Sequence, residues 1–118
     1  MPAAKQRFMK RADTAFGKVV RSVGFCESDR EKHSAQLQCA HIISRSYKSI
    51  RTDRRNALCL CQGCHMYYTN YPLEFEDWID DTYPGLRADL RQKALLYEKV
   101  DWKTQAEFWE SQVLLGTA

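Results

Sequence analysis

The sequence predicts a small α+β domain. A two-stranded hairpin and a metal-binding knuckle are set between one N-terminal helix and about three C-terminal helices. Three observations predict it. Cys61-x-x-Cys64, followed at once by His65, closes an apolar strand-like run, which is an arrangement of metal ligands. A shorter run upstream, Leu37 to Ile43, alternates so that Cys39 and His41 share one face and Gln38, Ala40 and Ile42 the other. On both sides of this region, apolar residues recur at three- and four-residue steps. A chain of 118 residues is the size of one domain. It divides into a basic helix over 1–24, a strand–strand–helix core over 25–70 and an acidic helical part over 71–118.

In chain order, residues 3–22 form an amphipathic helix with Phe8, Ala12, Ala15 or Phe16, Val19 and Val23 as its stripe, and Gly24 ends it. The basic flank of this helix can touch phosphates or simply be solvated. Residues 28–36, SDREKHSAQ, are polar and turn-like. The first strand, Leu37 to Ile43, leads into a densely basic loop over 44–55, long for a plain hairpin and of a kind that is usually functional. Asn56 to Cys61 is the second strand, Gly63 turns the chain, and a helix starts near Cys64. Leu73 to Asp81 is a short helix with Phe75, Trp78 and Ile79 inward, and Pro84-Gly85 breaks it from the next. Leu86 to Val100 is a helix striped by Leu86, Leu90, Ala94 and Tyr97. Asp101 to Leu115 is the last, with Thr104 as N-cap and Glu107 as its capping-box partner. These C-terminal helices supply core, or else a surface for a second copy of the chain or another protein.

Composition narrows the function classes. Hydrophobic content of 44% is enough for a folded core, and no apolar run is long enough to span a membrane. No secretory signal is visible, and five cysteines, an odd number, point to metal ligation in a reducing compartment in preference to disulfides. A cytoplasmic location is the expectation. Charge is segregated: up to Pro72 there are thirteen basic and five acidic residues, and from Leu73 onward five basic and ten acidic. The two parts carry +8 and −5, which suits one face to a polyanion, although two solvated surfaces of opposite sign give the same count.

The order His41, fourteen residues, Asn56, eight residues, His65, with Cys61-x-x-Cys64 before the last histidine, resembles the HNH endonucleases and their ββα-metal fold. The wording AHIISR followed by NALCLCQGCH is similar to phage-type HNH proteins, including the NinG-like recombination nucleases. The likeness covers residues 26 to 70. It implies a metal-dependent endonuclease that hydrolyses DNA in phage recombination, packaging or restriction, in a bacterial or phage-infected host cell. Under it His41 is the general base, Asn56 ties the loop that fixes the His41 strand, and His65 binds a catalytic divalent cation: Mg²⁺, Mn²⁺ or Ni²⁺. The same helices at the C-terminus would meet a second copy or a phage protein.

Two positions depart from the family pattern. Ala40 stands where most HNH enzymes carry an Asp or His metal ligand, and Cys26 stands alone where the first knuckle is usually Cys-x-x-Cys. Cys61 and Cys64 are the strong pair for a structural Zn²⁺, with Cys26 third. Cys39 is the preferred fourth ligand, Asp29 and His33 being chemically acceptable alternatives. Cys59 reads as a buried free thiol. Arg45 is the first choice for a phosphate clamp, with Lys48, Arg51, Arg54 and Arg55 as backbone contacts on DNA. Tyr67 and Tyr68 suit base stacking or core packing. The competing expectation is a zinc-stabilised nucleic-acid-binding module without catalysis, for which Ala40 and the broken knuckle argue.

Overall fold

The computed structural model describes residues 3–116. Among them, five α-helices surround one two-stranded antiparallel sheet. Helix α1 (Ala3–Arg21) buries Ala12, Ala15, Phe16 and Val19, the stripe expected from spacing, and stops before Gly24, whose φ of 87° favours glycine. Strands β1 (Leu37–His41) and β2 (Ala57–Cys61) pair with Cys39 opposite Cys59 and Ala40 opposite Leu58.

The pleat sorts these residues into two cores. Ala57, Cys59 and Cys39 pack with Phe16, Val19 and Val20 of α1, and with Trp109 of α5 (Trp102–Leu114). Ala40, Leu58 and Leu60 turn the other way, onto α2 (Gln62–Asn70) and α3 (Pro72–Thr82), where Cys64, Tyr68 and Ile79 complete the cluster. Tyr68 is therefore core: its ring stacks on Trp78 at 5.4 Å between centroids. Helix α4 (Leu86–Leu95) packs against α3 and the loop between the strands.

Several boundaries differ from the expectation. Strand β1 ends at His41, short of Ile43. Asn56 does not begin β2; it ends a single 3₁₀ turn, Arg54–Asn56, capped by Asp53. Helix α4 stops at Leu95, short of Val100, and Tyr97 takes a left-handed φ of 50°, so its ring leaves the stripe and is 68% exposed. The N-cap of α5 is Asp101, whose carboxylate accepts from the Thr104 N–H at 3.2 Å; Thr104 lies inside the helix and cannot cap it.

Helices α1 and α5 pack along their lengths, and the small side chains of Ala12 and Ala106, both fully buried, let them approach. Replacing either with Leu inserts methylenes into filled space. Ala12→Leu and Ala106→Leu are each expected to lower stability by about 1–3 kcal/mol in denaturant titrations.

Candidate functional site

The most complete constellation is a group of four metal-type donors. Cys26, His33, Cys61 and Cys64 offer ligand atoms that all lie within 4.8 Å of one another. His33 Nδ1 is 3.7 Å from Cys61 Sγ and 3.5 Å from Cys64 Sγ. Four donors held tetrahedrally at zinc bond lengths stand about 3.5–3.8 Å apart, and the two distances from His33 fall in that range. The set can hold a metal ion such as zinc.

Local structure explains how the four meet. Cys61 is the last residue of β2 and caps α2, its sulfur accepting from the Cys64 N–H at 3.4 Å, so two of the thiols converge on one helix turn. The loop carrying Cys26 and His33 is fastened to the outer edge of β2. Glu27 N–H donates to the Cys59 carbonyl at 2.8 Å, and the Cys59 N–H donates to the Glu27 carboxylate at 2.7 Å. Ser34 Oγ accepts from the Gly63 N–H at 3.0 Å. Burial alone would raise the Cys61 thiol, but N–H groups of Cys64 and Ser34, with the His33 ring, bring it down to about 5. Burial and the neighbouring Cys61 sulfur push Cys64 up.

Cys39 does not join this group. It faces the α1 core opposite Cys59, and burial raises its thiol to about 11. Strand parity places it on the opposite face from Ala40 and Leu60, which pack with Cys64. His33 takes the fourth position instead, and Asp29 is also absent from it. Sequence spacing favoured a cysteine on the adjoining strand. The available signal was chemical, since His33 is the one imidazole in the loop over residues 27–36 and zinc prefers nitrogen and sulfur donors. Cys59 is a fully buried free thiol, as its sequence context indicated.

A second constellation surrounds His41 and the loop after β1. Asn56 is fully buried and makes three bonds: its Oδ1 accepts from Ile43 N–H at 2.8 Å, and its Nδ2 donates to the Ile43 and Ile50 carbonyls at 2.9 and 3.1 Å. The amide thus ties both ends of the loop. His41 Nε2 donates to the Arg51 carbonyl at 2.8 Å, so in the neutral ring Nδ1 is the unprotonated nitrogen. Its ring lies 5.9 Å from that of Phe16. Burial, with the Arg45 and Arg51 cations nearby, lowers its pKa below the usual 6.5, although the bond to Arg51 and the Asp13 carboxylate oppose this.

His65, on the first turns of α2, pairs through Nδ1 with Gln38 Oε1 at 2.8 Å, which leaves its Nε2 as the lone-pair nitrogen. Burial lowers its pKa as well. Gln38 and His41 differ in strand parity, so the side chain that holds His65 leaves β1 on the face away from that of His41.

The basic loop is less free than its composition suggested. Arg51 is committed to Asp13 of α1 by a two-pronged ion pair at 2.9 and 2.6 Å, and its carbonyl to His41. Arg54 donates to the Ala57 carbonyl at 2.8 Å, and Arg55 leans on Asp53 at 3.3 Å. Lys93 of α4 holds the same Asp53 at 2.8 Å, and Thr52 bonds Gln105 of α5 at 2.8 Å. Arg45 and Lys48 are exposed, and their side chains make no hydrogen bond or ion pair with the described residues. Tyr67 carries the Arg30 guanidinium over its ring at 3.9 Å, which occupies one of its faces.

Comparison with protein-family models, with curated proteins and with solved structures returned no match to this chain. Among the described residues, no helix is long and apolar enough to cross a membrane.

The donor set predicts the metal content of the purified chain. Zinc is expected in a one-to-one ratio, retained by Cys39→Ala and reduced by His33→Ala and Cys26→Ser. Elemental analysis checks this; zinc loss in Cys39→Ala with retention in His33→Ala would contradict the assignment.

Proposed function

We propose that this chain is an HNH-type endonuclease of ββα-metal architecture that hydrolyses DNA phosphodiester bonds. Cys26, His33, Cys61 and Cys64 would hold a structural zinc. The observation that supports the reading is the setting of His41: Nε2 tied to a backbone carbonyl, Nδ1 left as a neutral base, and the supporting loop pinned by Asn56.

In this reading His41 Nδ1 takes the proton of a water as its oxygen attacks phosphorus. Asn56 acts by position, since it holds the loop whose Arg51 carbonyl selects the tautomer. Arg45 meets the phosphate oxygens through paired N–H groups. His65 is suited to ligate Mg²⁺, Mn²⁺ or Ni²⁺ through Nε2, because Gln38 holds the other nitrogen. A cation there supplies Lewis acidity and leaving-group stabilisation when bound. Ala40 contributes no ligand, so water and phosphate oxygens would fill the rest of an octahedral shell. A place in phage recombination, packaging or restriction goes with the resemblance.

A second reading is a zinc-stabilised nucleic-acid-binding module without catalysis. It is favoured by one specific observation: His65 is held by Gln38, which leaves β1 on the face away from that of His41, and Ala40 offers no donor beside either.

Plasmid cleavage separates the two. The nuclease reading predicts nicking or linearisation with Mg²⁺, Mn²⁺ or Ni²⁺, and a loss of roughly a hundred-fold or more in His41→Ala with binding retained. The rate should fall on acidification only below pH 6.5, because the neutral ring is the active form and its pKa is depressed. Salt-sensitive binding with no cleavage under any of these metals establishes the module instead.

A further inference from the structure

A groove between the loop after β1 and the segment linking α4 to α5 is lined by none of the zinc-type donors and by none of His41, Asn56 and His65. Its volume is about 540 Å³, in the range of small-ligand sites. Tyr47 and Tyr97 stand in its wall, both exposed, with ring centroids 6.4 Å apart and planes tilted by 36°. Lys5, Lys48 and Lys99 line it, and Arg45 lies two residues from Tyr47 in the same loop. Two carboxylates, Glu98 and Asp101, also border it, and Asp101 is engaged in capping α5.

The position of Tyr97 is unusual for its residue type. Its left-handed φ of 50° is one that large side chains rarely adopt, and Tyr97 is the one non-glycine residue with positive φ among those described. This conformation ends α4 and turns the ring out towards Tyr47. A planar ring inserted between two aromatic faces needs about 3.5 Å on each side, about 7 Å in all. The tyrosine centroids, 6.4 Å apart, lie within the range of rings that pair with each other, so a base would stack on the exposed faces of the pair and not between them.

We propose that Tyr47 and Tyr97 form a platform on which one unpaired base of a nucleic acid stacks, with Lys5, Lys48 and Lys99 holding the flanking phosphates. This rests on the nucleic-acid reading above and specifies the substrate class: DNA with unpaired bases at the bound site. Stacking on aromatic faces accepts any base, and cations along the groove follow the backbone. In duplex DNA the bases are already stacked and cannot reach the platform without first leaving the helix.

The test uses the full zinc-loaded chain with no added divalent metal, so that binding is read apart from cleavage. Fluorescence anisotropy compares a labelled oligothymidylate with a labelled blunt duplex. Tyr97→Ala and Tyr47→Ala are each expected to weaken oligothymidylate binding about ten-fold and leave duplex affinity unchanged. Tyr97→Phe should bind as the parent does. Tyr97→Gly should raise the melting temperature by relieving the backbone while still losing affinity. Parent-like oligothymidylate affinity in both Tyr97→Ala and Tyr97→Gly overturns the platform and leaves the nuclease reading standing. Dissociation of an oligomer in Tyr97→Ala, with nucleic-acid affinity unaltered, assigns the rings to a protein interface and also overturns it. No binding of either nucleic acid by the parent overturns both.

Discussion

The buried amide of Asn56 is the constraint on which the rest of the structure depends. A loop of more than ten residues between two five-residue strands would ordinarily be free to move, and the strands are too short to hold it. Asn56 closes it at both ends with three hydrogen bonds inside the protein, where no water competes for them. Only a side chain with both an acceptor and paired donors can serve a backbone N–H and two carbonyls at once. The closed loop then presents the Arg51 carbonyl to His41, so the tautomer of a histidine on β1 is decided by an asparagine fifteen positions later. Asp13, Lys93 and Gln105 complete the restraint from three different helices.

The hairpin itself is small, and each face has a different source of support. On the α1 side, apolar packing around Phe16 and Trp109 is sufficient. On the α2 side, the hydrophobic cluster runs directly into the Cys26, His33, Cys61 and Cys64 donors, so the same residues that end β2 begin a metal shell. A bound ion there would join the 26–33 loop, the strand and the helix, which lie far apart in the chain. Ligation of this kind contributes folding free energy directly and suits a domain with little core to spare.

Much of the fold was legible because its signals are local. The stripe of α1, the alternation of β1 and the knuckle at Cys61 and Cys64 each arise within a dozen residues. The misreadings came where a distant partner decided the outcome. Cys39 has suitable chemistry and proximity in sequence, but strand parity turns it into the α1 core, and His33 arrives from a loop held by Glu27 against β2. Arg51 and Arg54 read as free cations, yet Asp13, some forty residues earlier, claims one, and the Ala57 carbonyl holds the other. Helix α4 carried its apolar period as far as Tyr97, but a left-handed backbone there, invisible to periodicity, ended it sooner. His65 is tied to Gln38, whose side chain leaves β1 on the face away from that of His41, and this sharpens the choice between a nuclease and a binding module.

The central claim is that His41 is held as a neutral base with its proton on Nε2 and its lone pair on Nδ1. Nitrogen-15 NMR of the imidazole, followed across pH, measures this directly. The account predicts the Nε2–H tautomer with a midpoint below 6.5. An Nδ1–H tautomer, or a midpoint above 6.5, would contradict it.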